Sequence, residues 1–140
     1  MYAVRTRVVA SIGDLISATG EAWVAAHVLP YLVELFHEKE NSYLQRITAL
    51  NGVREIAVRS KSVETIEAIL PLLGEASNDA VPNVRSVCVR LLGEVCAKSD
   101  LLSATQMEGV VMPALNRLEV DPQDGEVRFM ASESRRKLAV

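Results

Sequence analysis

Apolar residues recur along most of the chain at the three- and four-residue spacing that places them on one face of a helix. The pattern is clearest over residues 62–97, where two apolar helical segments flank the short polar stretch 77–80 (SNDA). Short polar side chains bond to their own backbone and favour turns, and Pro82 stands where a helix can begin at little cost. The stretch therefore predicts a helical hairpin, which needs neighbours to cover its apolar face.

The same spacing predicts further helices on both sides of this hairpin, and residues 103–106 (SATQ) predict a capping box at the start of one of them. No segment alternates as a half-exposed strand does. The sequence therefore predicts an all-α chain with seven helices. They run over residues 3–18, 21–37 with a bend or restart near Pro30, 42–59, 62–76, 82–97, 103–120 and 126–138.

The composition supports this fold class. Hydrophobic residues make up 49% of the 140 residues but aromatic residues only 4%, so the core must be built from Leu, Val, Ile and Ala. Such a core suits stacked helices better than a β-sandwich, and the length suits one ordinary domain. The formal charge is -3 and the basic residues are scattered, without the basic stripe of nucleic-acid binders, so we expect no nucleic-acid partner.

The cysteines and the apolar stretches indicate the cellular compartment in which the protein is expected. Cys88 and Cys96 are eight residues apart on one predicted helix, roughly 12 Å along its axis, which is too far for a disulfide. Free, partly buried thiols fit a reducing compartment. The first residues carry arginines within their apolar pattern, unlike a signal peptide, and the apolar stretch 22–33 is shorter than the about 20 residues that span a bilayer. We expect a cytoplasmic protein without membrane contact, with the nucleus as an alternative location.

Two sequence landmarks recur with a period of about 40 residues, which is typical of a repeat protein. A Leu-Pro or Met-Pro pair occurs at residues 29–30, 70–71 and 112–113, and a Val or Leu followed by Arg or Gln occurs at residues 4–5, 44–45, 84–85 and 127–128. A proline inside a helix removes one backbone hydrogen bond and bends the helix. An arginine beside a turn can bond to carbonyls or to a neighbouring carboxylate, so we expect Asp79 and Asp124 to form a ladder with these arginines.

The helical pair of about 40 residues, with a proline in its first helix and the turn 79–85 (DAVPNVR), resembles a HEAT repeat. This resemblance implies an α-α superhelix, a HEAT-repeat solenoid of about three and a half repeats that forms one domain over residues 1–140. Residues 1–20 are then the second helix of a partial repeat. The full repeats span residues 21–60, 61–98 and 99–140.

A narrower resemblance is carried by residues 43–48 (YLQRIT), 79–85 and 126–131 (EVRFMA). These segments resemble the last three repeats of the scaffold (A, regulatory) subunit of protein phosphatase 2A. The resemblance implies a scaffold that holds the phosphatase catalytic subunit through the turns within its repeats, while the regulatory subunit binds earlier repeats that this sequence does not contain. It places eight residues on the contact surface: Ser42, Tyr43, Gln45, Arg46, Val81, Pro82, Asn83 and Arg85.

Val81 and Pro82 are apolar residues in a turn that we expect to be exposed, so they suit a small hydrophobic anchor inside a polar rim. The sequence of the same turns departs from the family at Gln45, Val81, Pro82 and Gly125. The alternative function is a HEAT-repeat adaptor of another complex, either a transport receptor or a chromatin-associated protein.

Catalytic motifs are not found in the sequence. His27 and His37 are ten residues apart and have no Cys or Asp placed beside them, and residues 121–125 (DPQDG) lack the spacing and the closing Glu of a calcium loop. Basic residues 135–137 suit a helix C-terminus better than a binding patch. We predict no enzyme activity, no cofactor and no metal.

The first predicted helix has no preceding partner, and terminal repeats need polar outer faces to stay soluble. Val4, Val8, Ile12 and Trp23 are therefore expected to be partly exposed. Self-association through the exposed ends is expected at high concentration.

Overall fold

A computed structural model gives the architecture of the chain and describes residues 2–38, 40 and 42–138, with side chains from residue 11 onward. The regular secondary structure of these residues is helical, and no β-strand occurs among them. The all-α prediction is therefore confirmed. None of the helices described has both the length and the apolar character that crossing a membrane requires.

Nine α-helical segments, a 3-10 turn at Ser99–Leu101 and a π-helical segment at Met107–Val111 make up these ranges. The α-helices are α1 (Tyr2–Thr19), α2 (Glu21–His27), α3 (Leu29–His37), α4 (Tyr43–Arg59), α5 (Val63–Ser77), α6 (Pro82–Cys96), α7 (Ala104–Gln106), α8 (Met112–Glu119) and α9 (Gly125–Leu138). α2 and α3 are continued across Val28 by backbone hydrogen bonds, and the π segment joins α7 to α8. Counted as continuous rods, the described helices are seven, as the sequence predicts.

The chain divides into two compact units, Met1–Ser60 and Lys61–Val140. In the first unit α4 packs against α1 and α3. In the second unit α5 packs against α6 and α8, and α9 packs against α6 and α8. The boundary between the units coincides with the predicted boundary between two repeats, while the assignment of residues 1–140 to one domain stays a prediction.

The three prolines of the Leu-Pro landmark have three different backbone settings. Pro30 is the second residue of α3, which begins after the interruption at Val28. Pro71 lies inside α5, which continues through it. Pro113 begins α8 and follows the π segment. Since proline has no N–H to donate, one carbonyl lacks its usual helical partner at each of these positions. The backbone around the three prolines accommodates this loss in three different ways.

The core of the first unit depends on close packing at Gly52. A Cβ atom at this position would lie 2.8 Å from Leu32 Cδ2 and 3.4 Å from Ile12 Cδ1, so the missing side chain lets these helices approach. Ile12 is only 1% exposed in this core, and the expectation that it is partly exposed was wrong because α1 packs against α4. Trp23 is 46% exposed, as expected. Val4 and Val8 lie outside the residues whose side chains are described.

The core of the second unit consists of aliphatic side chains from α5, α6 and α8. The largest of them are almost completely buried, and they are Ile66, Ile69, Leu72, Leu73, Leu91, Leu92, Leu115 and Leu118. This agrees with a core built without aromatic residues. The buried faces leave the turns at one end of the helices free to carry polar groups.

Candidate protein-binding ridge

The turn between α5 and α6 is shaped by short polar side chains. The Ser77 hydroxyl donates to the Gly74 carbonyl at 2.9 Å. The side-chain amide of Asn78 donates to the same carbonyl at 3.2 Å. Asp79 Oδ1 then accepts a hydrogen bond from the backbone N–H of Val81 at 2.9 Å, which closes an Asx-turn. The turn is therefore fixed by its own sequence before α6 begins.

The turn between α8 and α9 is held by two aspartates. Asp121 Oδ1 accepts hydrogen bonds from the backbone N–H groups of Gln123 and Asp124 at 3.0 and 3.1 Å. Asp124 Oδ1 accepts from the N–H groups of Glu126 and Val127 at 2.9 and 3.3 Å and so caps the first turn of α9. Residues 78–85 and 121–128, both in the second unit, are called the turn ridge below.

Arg85 ties the two turns together. Its Nε donates to Asp121 Oδ2 at 2.5 Å, and its Nη2 donates to Asp121 Oδ1 at 3.3 Å and to Gln123 Oε1 at 2.7 Å. Its Nη1 donates to the backbone carbonyl of Asp79 at 2.8 Å. Arg85 is only 8% exposed and Asp121 only 2% exposed. One buried guanidinium therefore fixes residues on both turns.

The sequence predicts Asp79 and Asp124 as the acidic partners of the arginines, but Arg85 pairs with Asp121 instead. The carboxylate that pairs with Arg85 is that of Asp121, while Asp124 caps α9 and Asp79 contributes its backbone carbonyl to the arginine. Asp121 directly follows the last turn of α8, so it faces the preceding turn. Asp124 is closer in sequence to Arg128, which is why spacing alone pointed to it.

A second hydrogen bond between layers lies beside the first. Arg117 on α8 donates from Nη2 to the buried hydroxyl of Ser77 at 2.8 Å. By contrast, the ion pair between Arg90 and Glu126 is longer, at 3.6 Å, and both side chains are exposed. An exposed pair of this kind contributes little to stability.

The environment of Asp121 lowers the pKa of its carboxyl group. Burial raises this pKa, but hydrogen bonds from Arg85 and from the backbone of Gln123 and Asp124, with the charge of the arginine, outweigh burial and hold it below its ordinary value of 3.8. The carboxylate therefore stays ionised in the folded protein when the same group in the unfolded chain has begun to bind a proton.

Acid is expected to weaken the second unit through this carboxylate. Because the folded pKa is below the unfolded value, the stabilisation is fully present above about pH 4 and is lost as the pH falls toward the folded pKa. Urea unfolding followed by circular dichroism from pH 7 down to 3 measures the loss. The variant Asp121→Asn should be less stable at pH 7 and should show a shallower fall in acid, and equal slopes for both proteins would contradict the assignment.

The corresponding turn of the first unit is also fixed by its sequence. Ser42 and Gln45 form a capping box in which the Gln45 backbone donates to Ser42 Oγ at 3.4 Å and the Ser42 backbone donates to Gln45 Oε1 at 3.1 Å. In the second unit, Ser103 and Gln106 form the capping box that the sequence predicts for the start of α7. Tyr43 is 41% exposed at the start of α4. Arg46 is half-buried.

The eight residues predicted to contact a partner fall into three groups. Ser42, Tyr43 and Asn83 are exposed, while Gln45, Arg46, Val81 and Pro82 are half-buried and Arg85 is buried. The expected exposure of Val81 and Pro82 was therefore too high, because these residues pack at the start of α6. The involvement of all eight in binding stays a prediction.

Further exposed residues of the turn ridge are not among those predicted from the sequence. Pro122 and Gln123 stand on the surface of the second turn, and Ala80 stands on the surface of the first. The only signal for Pro122 and Gln123 was the turn composition of residues 121–125, which indicates a bend but does not indicate which side chains face outward.

The described residues include two buried thiols and two histidine rings that lie against aromatic rings. Burial raises the pKa of the Cys88 thiol to about 12 and that of Cys96 to about 11, so both are protonated at neutral pH and are poor nucleophiles. Among the described residues no group of three or more His, Cys, Asp or Glu could hold a metal ion. The His27 ring lies against Trp23 with centroids 4.7 Å apart, and the His37 ring lies against Phe36.

Comparison with known families supports the helical-repeat interpretation. Residues 69–99 match the family model of the HEAT repeat. This segment includes the end of α5, the first turn of the turn ridge and the whole of α6. No curated protein matches the chain.

Proposed function

We propose that this chain, which carries a HEAT repeat, is a non-catalytic scaffold that holds a protein partner on the turns within its repeats. The observation that supports the proposal most is the Arg85 network, in which four hydrogen bonds from one buried guanidinium fix both turns of the turn ridge. A surface that is ordered before binding loses less conformational entropy when a partner arrives. Fixed turns along one edge of stacked helices therefore suit a docking surface.

The side chains of the turn ridge have the composition of a protein interface. Asn83, Pro122 and Gln123 are exposed, and Val81 and Pro82 are half-buried beside them. Interfaces commonly place apolar anchors inside a rim of polar groups that stay near water. The ridge is thus suited to a protein partner rather than to a small molecule, which needs a concave site.

The partner that we propose is the catalytic subunit of protein phosphatase 2A. The support comes from the resemblance of residues 43–48, 79–85 and 126–131 to the last repeats of the scaffold subunit of that enzyme. The regulatory subunit would bind through earlier repeats that this sequence does not contain. The alternative partner is a component of another complex that uses a HEAT-repeat adaptor.

Charge placed at Val81 tests this function. Val81 is the N-cap residue of α6, where aspartate is a preferred residue, so Val81→Asp should fold normally while adding a charge to the anchor. We expect wild-type protein to bind the purified catalytic subunit and Val81→Asp to bind at least about tenfold more weakly, or about 1.4 kcal/mol. Surface-immobilised binding measurements on the full chain give both affinities.

The matched control is Val63→Asp, because Val63 is 39% exposed and begins α5, far along the helix from the turn ridge. This control should bind like the wild type. If wild-type protein shows no binding to the catalytic subunit and instead binds a transport cargo, the phosphatase proposal is wrong and the adaptor alternative replaces it.

A further inference from the structure

Arg128 occupies in the α8–α9 pair the position that Arg85 occupies in the α5–α6 pair. Arg85 donates from Nη1 to the backbone carbonyl of Asp79 at 2.8 Å, and Arg128 donates from Nη1 to the backbone carbonyl of Asp121 at 2.5 Å. Each arginine thus bonds to the first aspartate of its own turn with the same nitrogen. The two side chains are anchored in the same way.

The second edge of each guanidinium group, formed by Nε and Nη2, has different surroundings in the two arginines. In Arg85, Nε and Nη2 hold the Asp121 carboxylate at 2.5 and 3.3 Å. In Arg128, these two atoms have no hydrogen-bond partner within residues 11–38, 40 and 42–138, and the side chain is exposed. A guanidinium edge of this kind matches the two oxygens of a carboxylate. The pairing of Arg85 with Asp121 therefore shows which group this edge binds, and among the described residues the same edge of Arg128 is open.

Two exposed apolar residues flank, in the sequence, the turn that carries the open edge. Phe129 follows Arg128 in α9 and is 64% exposed, and Val120 precedes Asp121 and is 74% exposed. Aromatic rings are enriched at protein interfaces because each brings a large apolar area to the contact. The second turn of the turn ridge thus carries an open guanidinium edge and is flanked by two exposed apolar side chains.

Further along α9 the outer surface becomes polar. Four and seven residues after Arg85, α6 has the buried Val89 and Leu92, whereas the same distances after Arg128 lead to Ser132 and Arg135. The Arg135 Nε donates to Glu119 Oε1 at 2.7 Å. This surface lacks the apolar residues that a whole packed helical layer would bury, so it suits a short segment that binds only near the turn.

We propose that Arg128, Phe129 and Val120 form a docking point for a segment of the partner protein in which a carboxylate side chain stands beside an apolar residue. Arg128 holds that carboxylate through Nε and Nη2, as Arg85 holds Asp121, and Phe129 and Val120 contact the apolar residue. The inference rests on the proposed function, since the segment belongs to the protein held by the turn ridge, and it adds the chemical class of one contact.

Binding of the purified phosphatase catalytic subunit to the full chain tests the docking point. Arg128→Ala removes the guanidinium, and Arg128→Gln removes the charged edge but keeps an N–H donor for the Asp121 carbonyl, so it guards against loss of the turn. Both variants should bind at least about tenfold more weakly than the wild type. The control Arg136→Ala removes an exposed arginine about two turns further along the same helix and should bind normally.

A coupling experiment identifies the group that Arg128 meets. Arg128→Lys places an amine at this position, and a water-soluble carbodiimide joins an amine to a carboxylate in direct contact, with loss of water. Mass spectrometry should then find an amide between position 128 and an Asp or Glu of the catalytic subunit, next to an apolar residue. An amide that joins two copies of this chain would overturn the proposal, because the occupant would then be a second copy.

The two proposals fail in different ways. Wild-type affinity of Arg128→Gln for the catalytic subunit would overturn the docking point and leave the proposed function intact. A wild-type chain that does not bind the catalytic subunit would overturn the proposed function together with the docking point that rests on it.

Discussion

Replacing Arg85 with alanine is expected to lower the free energy of unfolding by about 3 to 5 kcal/mol, because the change leaves the Asp121 carboxylate buried without its ion-pair partner. Asp121 is 2% exposed, so water cannot replace the lost guanidinium without opening the turn. The variant also loses the hydrogen bonds to Gln123 and to the Asp79 carbonyl. Urea unfolding at pH 7 measures the loss.

The matched control for this change is Arg90→Ala. Arg90 lies on the same helix, and its ion pair with Glu126 is long and exposed, so its removal should cost less than about 1 kcal/mol. Adding Asp121→Asn to Arg85→Ala should restore part of the lost stability, since no charge is then left buried alone and the side-chain oxygen still accepts from the backbone of Gln123 and Asp124. Equal losses for Arg85→Ala and Arg90→Ala would contradict the assigned role of Arg85.

Replacing Gly52 with valine is expected to destabilise the first unit by about 2 to 3 kcal/mol through overpacking. The first added carbon alone would lie 2.8 Å from Leu32 Cδ2 and 2.9 Å from Leu32 Cδ1, and Leu32 is itself 1% exposed, so it has little room to move. The branched side chain adds two more methyl groups in the direction of Leu32 and Ile12. Thermal unfolding followed by circular dichroism measures the effect.

Gly74 provides the matched control, because a Cβ atom there would meet nothing within 4 Å. Gly74 lies inside α5, where glycine costs about 0.5 to 1 kcal/mol relative to alanine. Gly74→Ala should therefore stabilise the protein by about this amount. A Gly52→Val protein as stable as wild type would show that α1, α3 and α4 do not pack as described.

The helices could be predicted closely from the sequence because their signals are local. The apolar spacing, the polar turns and the proline positions place each predicted helix within a few residues of the observed one, including the restart near Pro30. The HEAT pattern was also recognisable, since the turn 79–85 lies within the segment that matches the repeat family.

The contacts of the turn ridge could not be predicted in the same way because they depend on which side of a turn faces the next layer. Asp121 and Asp124 are three residues apart, and only the packed structure shows that the first pairs with Arg85 while the second caps α9. The burial of Val81 and Pro82 likewise depends on how α6 begins against its neighbours. Nothing in the sequence indicated the open edge of Arg128, because the sequence does not show which atoms of Arg85 and Arg128 have hydrogen-bond partners.

Hydrogen exchange of the full chain with and without the catalytic subunit of protein phosphatase 2A is the most direct test of the central claim that the turns hold the partner. We predict slower exchange of backbone amides in residues 42–46, 78–85 and 121–128 when the subunit is bound, with little change along the outer faces of α2 and α5. Slower exchange confined to those outer faces, with the turns unaffected, would contradict the claim.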